Sequence, residues 1–114
     1  MTTPRSVSWV KAARKEFEKF PRKVQTKGLY TLAIAAAGSR SDNAKPLHGL
    51  GSGIFEIALN DRSGTFRVVY AVQIDSDIWV VHAFQKKSKT GIKTPLREID
   101  LIRERLKRLK EMLA

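Results

Sequence analysis

Apolar residues recur along this chain with two different periods, and the switches between them divide it into elements. Ser6-Val7-Ser8-Trp9-Val10 alternates polar and apolar, the pattern of a short edge strand. From Lys11 to Phe20 the apolar positions Ala13, Phe17 and Phe20 follow helical spacing, while Lys and Glu fill the other face. Pro21 suits the first turn of a second helix, which runs to about Ala37 and stops at Gly38. Together these two segments predict an N-terminal helical hairpin. Residues 39–53 are rich in turn formers and lack any apolar period, so they read as a loop. Three strand-like runs follow, Ile54–Leu59, Thr65–Ile74 and Ile78–Phe84, separated by turn-forming stretches at 60–64 and 75–77. An antiparallel meander connects them most simply. The last segment, Thr94 to Leu113, begins with Thr94 as N-cap and Pro95 as first helical residue. It carries the stripe Ile99, Ile102, Leu106, Leu109 and Leu113. The expected class is α+β: a helical hairpin packed on a small twisted antiparallel sheet, with a C-terminal helix.

Length and composition narrow this picture. A chain of 114 residues with 42% hydrophobic content supports one two-layer core, so residues 1–114 are expected to form a single domain. There is no cysteine, which removes disulfides and thiolate metal sites, and His48 and His82 lack metal-ligand spacing. No metal and no cofactor is expected. Neither a signal-peptide pattern nor an apolar run of membrane-spanning length is present, which predicts a cytoplasmic protein with no membrane partner. The formal net charge is +11. The first 30 residues carry eight basic and two acidic side chains, and residues 84–110 carry ten and three, so both ends are basic around a neutral middle. Such an imbalance points to a polyanionic or acidic partner.

Candidate chemistry is concentrated in the third and fourth strand-like segments and the basic stretch beyond them. Strict alternation places Phe66, Val68, Tyr70, Val72 and Ile74 on one face and Arg67, Val69, Ala71 and Gln73 on the other. Arg67 then has two readings of about equal weight, an ion pair with Glu56 on the neighbouring strand or a bidentate phosphate clamp. His82 is expected on the face of Ile78, Val80 and Phe84, where a core role and a proton-shuttling role both fit an imidazole. Tyr70 and Phe84 are core aromatics first and base-stacking platforms second. The segment 85–95 is basic and hydroxyl-rich and enters a helix N-terminus, which suits an anion, although a run of lysines is also an ordinary solvated surface. The chain has no Walker loop, HExxH, GxSxG or dinucleotide fingerprint. Chemistry that borrows its nucleophile from the substrate stays open. RNA supplies one in its 2′-OH, given a base and cations to stabilise the phosphorane.

Four segments, taken together, resemble a known family: Ala44–Gly49, Gly53–Ile57, Thr65–Tyr70, and His82–Lys89 followed by Gly91 and Thr94-Pro95. They are similar to the phage-derived Gp49-like, HigB-type branch of the RelE/ParE toxin superfamily. The likeness runs from Trp9 through Leu106 and is most specific in Phe84–Lys89. It implies a toxin of a type II toxin–antitoxin system that cleaves mRNA on the ribosome without a metal and is silenced by a helix-turn-helix antitoxin of the HigA type. Carried over by position, it implies a phosphate clamp at Arg67 and a general base or transition-state cation at Lys86 and Lys87; His82 stays a further catalytic candidate on its own chemistry. Lys45, Tyr70, Phe84, Lys89, Lys93 and Arg97 form the expected RNA-binding fringe. The chain departs from the pattern in having no aromatic residue and no histidine after Phe84, whereas RelE-type enzymes carry a C-terminal tyrosine and some HigB proteins a C-terminal histidine. The superfamily also contains ParE-like toxins, which inhibit DNA gyrase by protein binding, and that is the alternative function.

Overall fold

In the computed structural model, which describes residues 3–87 and 93–114, a five-stranded sheet separates two layers of helix. The elements are β1 (Val7–Trp9), α1 (Lys11–Phe17), α2 (Arg22–Ala36), β2 (Ala44–Pro46), β3 (Ile54–Asp61), β4 (Gly64–Ala71), β5 (Ile78–Lys86) and α3 (Leu96–Leu113). The strand order is β1-β5-β4-β3-β2. The meander β3-β4-β5 is antiparallel, as the turn signals predict, but β1 joins β5 in parallel, so the sheet is mixed rather than antiparallel. Arg5 helps to fix that added strand. Its guanidinium donates to the carbonyls of Val72, Asp75, Ser76 and Asp77, tying the segment before β1 to the β4–β5 turn. Ser8 adds a hydroxyl bond of 2.5 Å to Asp77.

Two consecutive helices form where expected, but a strand precedes them, so the helical hairpin is not the N-terminal element. The chain opens on β1, and the two helices dock side by side on the sheet, α1 over β5 and α2 over β3. Gln25 bonds the carbonyls of Glu18 and Phe20 across the junction. Pro21 caps α2 from outside, because its extended ψ of 145° cannot be helical. Gly38, at φ 92°, ends the helix where expected. Strand β2 lies inside the stretch read as a loop; it pairs antiparallel with β3, Lys45 opposite Glu56. With Pro46 at its end it is a short edge of three residues, too brief to show a period.

Apolar burial divides between the two faces. On one, Ala13, Phe17, Val24 and Leu32 from the helices and Phe20 from the turn between them meet Ile57, Leu59, Phe66, Val68, Tyr70, Ile78 and Val80 from the sheet. On the other, Ile102, Leu106 and Leu109 of α3 cover Leu50, Ile54, Val69, Ala71 and Val81. The α3 stripe therefore docks as its period predicts, except that Leu113 remains exposed. Pro95, not Thr94, is the residue before the helix, and no side chain caps it. No described helix is long and apolar enough to cross a membrane.

A bulge in β5 decides which side chains reach α3. Val69 faces His82 but Tyr70 faces Val80, so Val81 is an extra residue in the ladder. Before it, Ile78 and Val80 point to the α1–α2 face. Beyond it the phase is reversed, and His82, Phe84 and Lys86 stand opposite Val69, Arg67 and Thr65 on the α3 face. His82 therefore does not share a face with Ile78 and Val80, contrary to strict alternation.

Candidate active site

Strand β1 pairs only with Ile78–Val80, which leaves the outer edge of β5 from His82 onward without a strand neighbour among the described residues. A groove of about 730 Å³ opens along that edge, between the end of α1 and the first turns of α3. Lys86, Lys87, Arg97 and Arg105 contribute cations to its lining, Phe84 and Leu101 apolar surface, and Glu98 a carboxylate. Lys19 and Glu16 close it from the α1 side.

At its floor His82, only 2% exposed, is held from both sides. Arg105 donates through a terminal guanidinium nitrogen to Nδ1 at 2.7 Å, and Glu98 Oε1 lies 2.7 Å from Nε2. A guanidinium has no acceptor, so Nδ1 must be unprotonated and the single ring proton rests on Nε2, donated to Glu98. Burial, opposed by the Glu98 hydrogen bond and reinforced by Arg105, lowers the pKa of His82 below its ordinary value, so the neutral ring is the stable form near pH 7. Burial also lowers the pKa of Arg105. Arg105 reaches the Val81 carbonyl as well, at 3.3 Å, so the bulge residue helps to anchor it. Glu98 Oε2 has the exposed Arg97 guanidinium 3.8 Å away. The result is a carboxylate whose one oxygen is fixed by a neutral imidazole while the other faces a cationic groove.

A second polar cluster lies deeper under the start of α3. Arg67 donates to Glu56 Oε1 at 2.6 Å, with side-chain exposures of 12% and 10%. Thr94 donates its hydroxyl to Glu56 Oε2 at 2.6 Å, which is where the expected N-cap side chain is spent. Arg67 Nε is buried and has no hydrogen-bond partner among the described residues. Of the two readings of Arg67, the ion pair is the one formed, and its guanidinium does not line the groove.

The expected site residues therefore separate. His82, Phe84, Lys86, Lys87 and Arg97 come together at the groove; Lys86 is mostly buried and Lys87 lies at the strand's exposed end. Lys45 is exposed on β2 opposite Glu56, and Lys93 is exposed just before Thr94. Tyr70 is 1% exposed, stacked on Phe55 with centroids 5.5 Å apart, on the α1–α2 face. Burial there raises its phenol pKa, and it does not line the groove at the β5 edge. Lys89 lies outside the described residues. Glu98 and Arg105 escaped sequence reasoning, although their spacing of two helical turns beside the Ile102–Leu106 stripe places both on one helix flank. Among the described residues, no three His, Cys, Asp or Glu side chains converge as a metal site requires.

Comparison with known proteins gives a consistent result. The family model described as phage derived protein Gp49-like (DUF891) matches residues 15–107. Two solved structures of the Escherichia coli toxin RelE share the fold. A double-arginine variant in the free state aligns with a TM-score of 0.63 and 20% identity over 93% of this chain and 98% of that one. The isolated toxin aligns with a TM-score of 0.58 and 21% identity over 92% and 98%. No curated protein matches the chain.

Proposed function

The chain belongs to the phage-derived Gp49-like family and has the fold of RelE toxins, and from that premise we propose that it is the toxin of a toxin–antitoxin pair and an mRNA endoribonuclease. The observation that carries this reading is the groove along the β5 edge, lined by four cationic side chains and one oriented carboxylate. A single RNA strand fits such a place because its phosphates meet Lys86, Lys87, Arg97 and Arg105 while a base can rest on Phe84. Attack by a 2′-OH on the adjacent phosphate places extra negative charge on the phosphorane oxygens. Ammonium and guanidinium groups already in position stabilise that charge without reorganising at the moment of reaction. The reaction so written needs no metal.

Lys86 and Lys87 supply the transition-state cations in this reading, and Arg67 is structural. Lys93, exposed just before α3, and Lys45, exposed on β2, are suited to more distant phosphates, as is Lys89 by its place in the sequence between β5 and α3. Cleavage takes place on translating ribosomes in the cytoplasm. The partner that silences the chain is a small helix-turn-helix antitoxin of the HigA type, drawn by the +11 charge through an acidic segment.

The test is induced expression with the adjacent antitoxin frame absent, followed by genome-wide mapping of RNA 5′ ends. New ends within translated messages, lost in a Lys86→Ala, Lys87→Ala double variant that still melts normally, are the expected result. Growth arrest with intact messages and inhibited gyrase supercoiling would replace this reading with the ParE-like one.

A further inference from the structure

Glu98 is the residue whose environment is most specialised for reaction chemistry, and neither the family match nor the fold gives it a role. Resting on the nuclease reading above, we propose that Glu98 is the general base that removes the 2′-OH proton of the RNA, and that His82 and Arg105 are its positioning residues. The ring of His82 fixes Glu98 Oε1 at 2.7 Å, and Arg105 at 2.7 Å forces the tautomer that makes this possible. Rotation of the carboxylate is thereby restricted, and Oε2 is the oxygen left for substrate. A carboxylate is ionised at neutral pH and accepts a proton at once, whereas an ammonium must first lose one. This divides the labour: Glu98 takes the proton, and Lys86 and Lys87 keep their charge for the phosphorane.

In the step itself the 2′-OH proton passes to Glu98 Oε2, and the 2′-oxygen forms a bond to phosphorus. The bond from phosphorus to the 5′-oxygen breaks with its electron pair on that oxygen, which takes a proton from water. The products are a 2′,3′-cyclic phosphate and a 5′-hydroxyl, and Glu98 returns its proton to solvent. The charged and titratable groups that line the groove with Glu98 are His82 and Lys86 from β5, Lys87 just beyond it, Arg97 and Arg105 from α3, and Glu16 with Lys19 across the groove.

The experiment compares purified wild type with Glu98→Gln, which keeps size and can still accept from His82, on a short mRNA bound to programmed ribosomes. Single-turnover cleavage is expected to fall about 10²- to 10⁴-fold. The acid limb of the pH–rate profile, present in wild type, should disappear in the variant, and melting temperature should be unchanged. His82→Phe should shift that limb and slow cleavage less. A substrate with a 5′-thio leaving group, which needs no acid, should leave the Glu98→Gln defect in place. Rescue by that substrate, or a wild-type pH profile in Glu98→Gln, overturns the assignment while the nuclease reading stands. Cutting of an mRNA with a 2′-O-methyl group at the scissile nucleotide, which has no 2′-OH proton to remove, likewise overturns the assignment, whereas failure of wild type itself to cut overturns the nuclease reading instead.

Discussion

Arg67 and Glu56 place opposite charges on neighbouring strands, and their 2.6 Å contact beneath Thr94 makes each the condition for burying the other. Removing one partner should cost more than removing both, because a lone buried carboxylate keeps its desolvation penalty and loses its counter-charge. Arg67→Ala is expected to lower stability by about 3 kcal/mol, and Arg67→Met with Glu56→Leu to recover most of that loss in thermal melts. A tolerant Arg67→Ala protein would mean that solvent reaches the pair. His82 gives a pH test with a defined sign. Its folded-state pKa lies below the unfolded value of about 6.5, so below that pH the unfolded chain binds the proton more readily. Stability should be fully present above about pH 6.5 and decline as pH falls toward the lowered folded value. His82→Gln should flatten that decline in melts between about pH 5 and 7. An identical slope in both proteins would place the titration elsewhere. At this scale the Arg67–Glu56 pair was legible only as one of two equal readings, because an arginine among apolar residues on a central strand needs either an acid next door or a bound anion. The Glu98–His82–Arg105 chain was not, since a charged helix flank is ordinarily solvated and nothing local reveals that α3 lies against β5.

The elements that could be read were those with a long period and clear punctuation. The stripe of α3, the stop at Gly38 and the three meander strands all follow from spacing and turn chemistry. Strand β1 follows from the alternation of residues 6–10, whereas β2, three residues long and inside the stretch read as a loop, is stabilised by its neighbour rather than by its own pattern. The phase of β5 was hidden for a different reason. Ile78-Trp79-Val80-Val81 is apolar at every position, so no alternation marks the extra residue at Val81 that turns His82 toward α3. Packing of the elements can be tested at two sites. Leu106, nearly fully buried against the sheet, should cost roughly 2–4 kcal/mol as Leu106→Ala, and an unchanged melting temperature would mean that α3 is undocked in solution. Gly28 lies inside α2, where alanine is normally better by about 1 kcal/mol. Here an added Cβ would stand 2.9 Å from the Phe17 ring and 3.3 Å from Leu59, so Gly28→Ala should destabilise, by roughly 1–3 kcal/mol. A gain in melting temperature would show that α1 can move away from α2.

Over the whole molecule, charge rather than shape sets the reach of the groove. Lys19, Lys86, Lys87, Arg97 and Arg105 face it against Glu16 and Glu98, a local excess of cations on a chain whose net charge is already +11. A single strand bound there displaces condensed counterions, and with about three phosphates neutralised log K should fall with a slope near −2 against log salt. Between about 50 and 200 mM salt the affinity for an unstructured oligoribonucleotide is therefore expected to drop roughly twentyfold. The Lys86→Ala, Lys87→Ala variant supplies the control, since two lost phosphate contacts should bring the slope to about −0.7 as well as weaken binding. Fluorescence anisotropy across a salt series measures both slopes. If the two slopes coincide, the strand is held elsewhere on the basic surface, and the groove at the β5 edge is not its binding site. If wild-type affinity does not respond to salt, the cationic lining makes no phosphate contacts. The +11 charge would then act chiefly on the acidic segment of a protein partner, where apolar contacts along the exposed rim would share the binding.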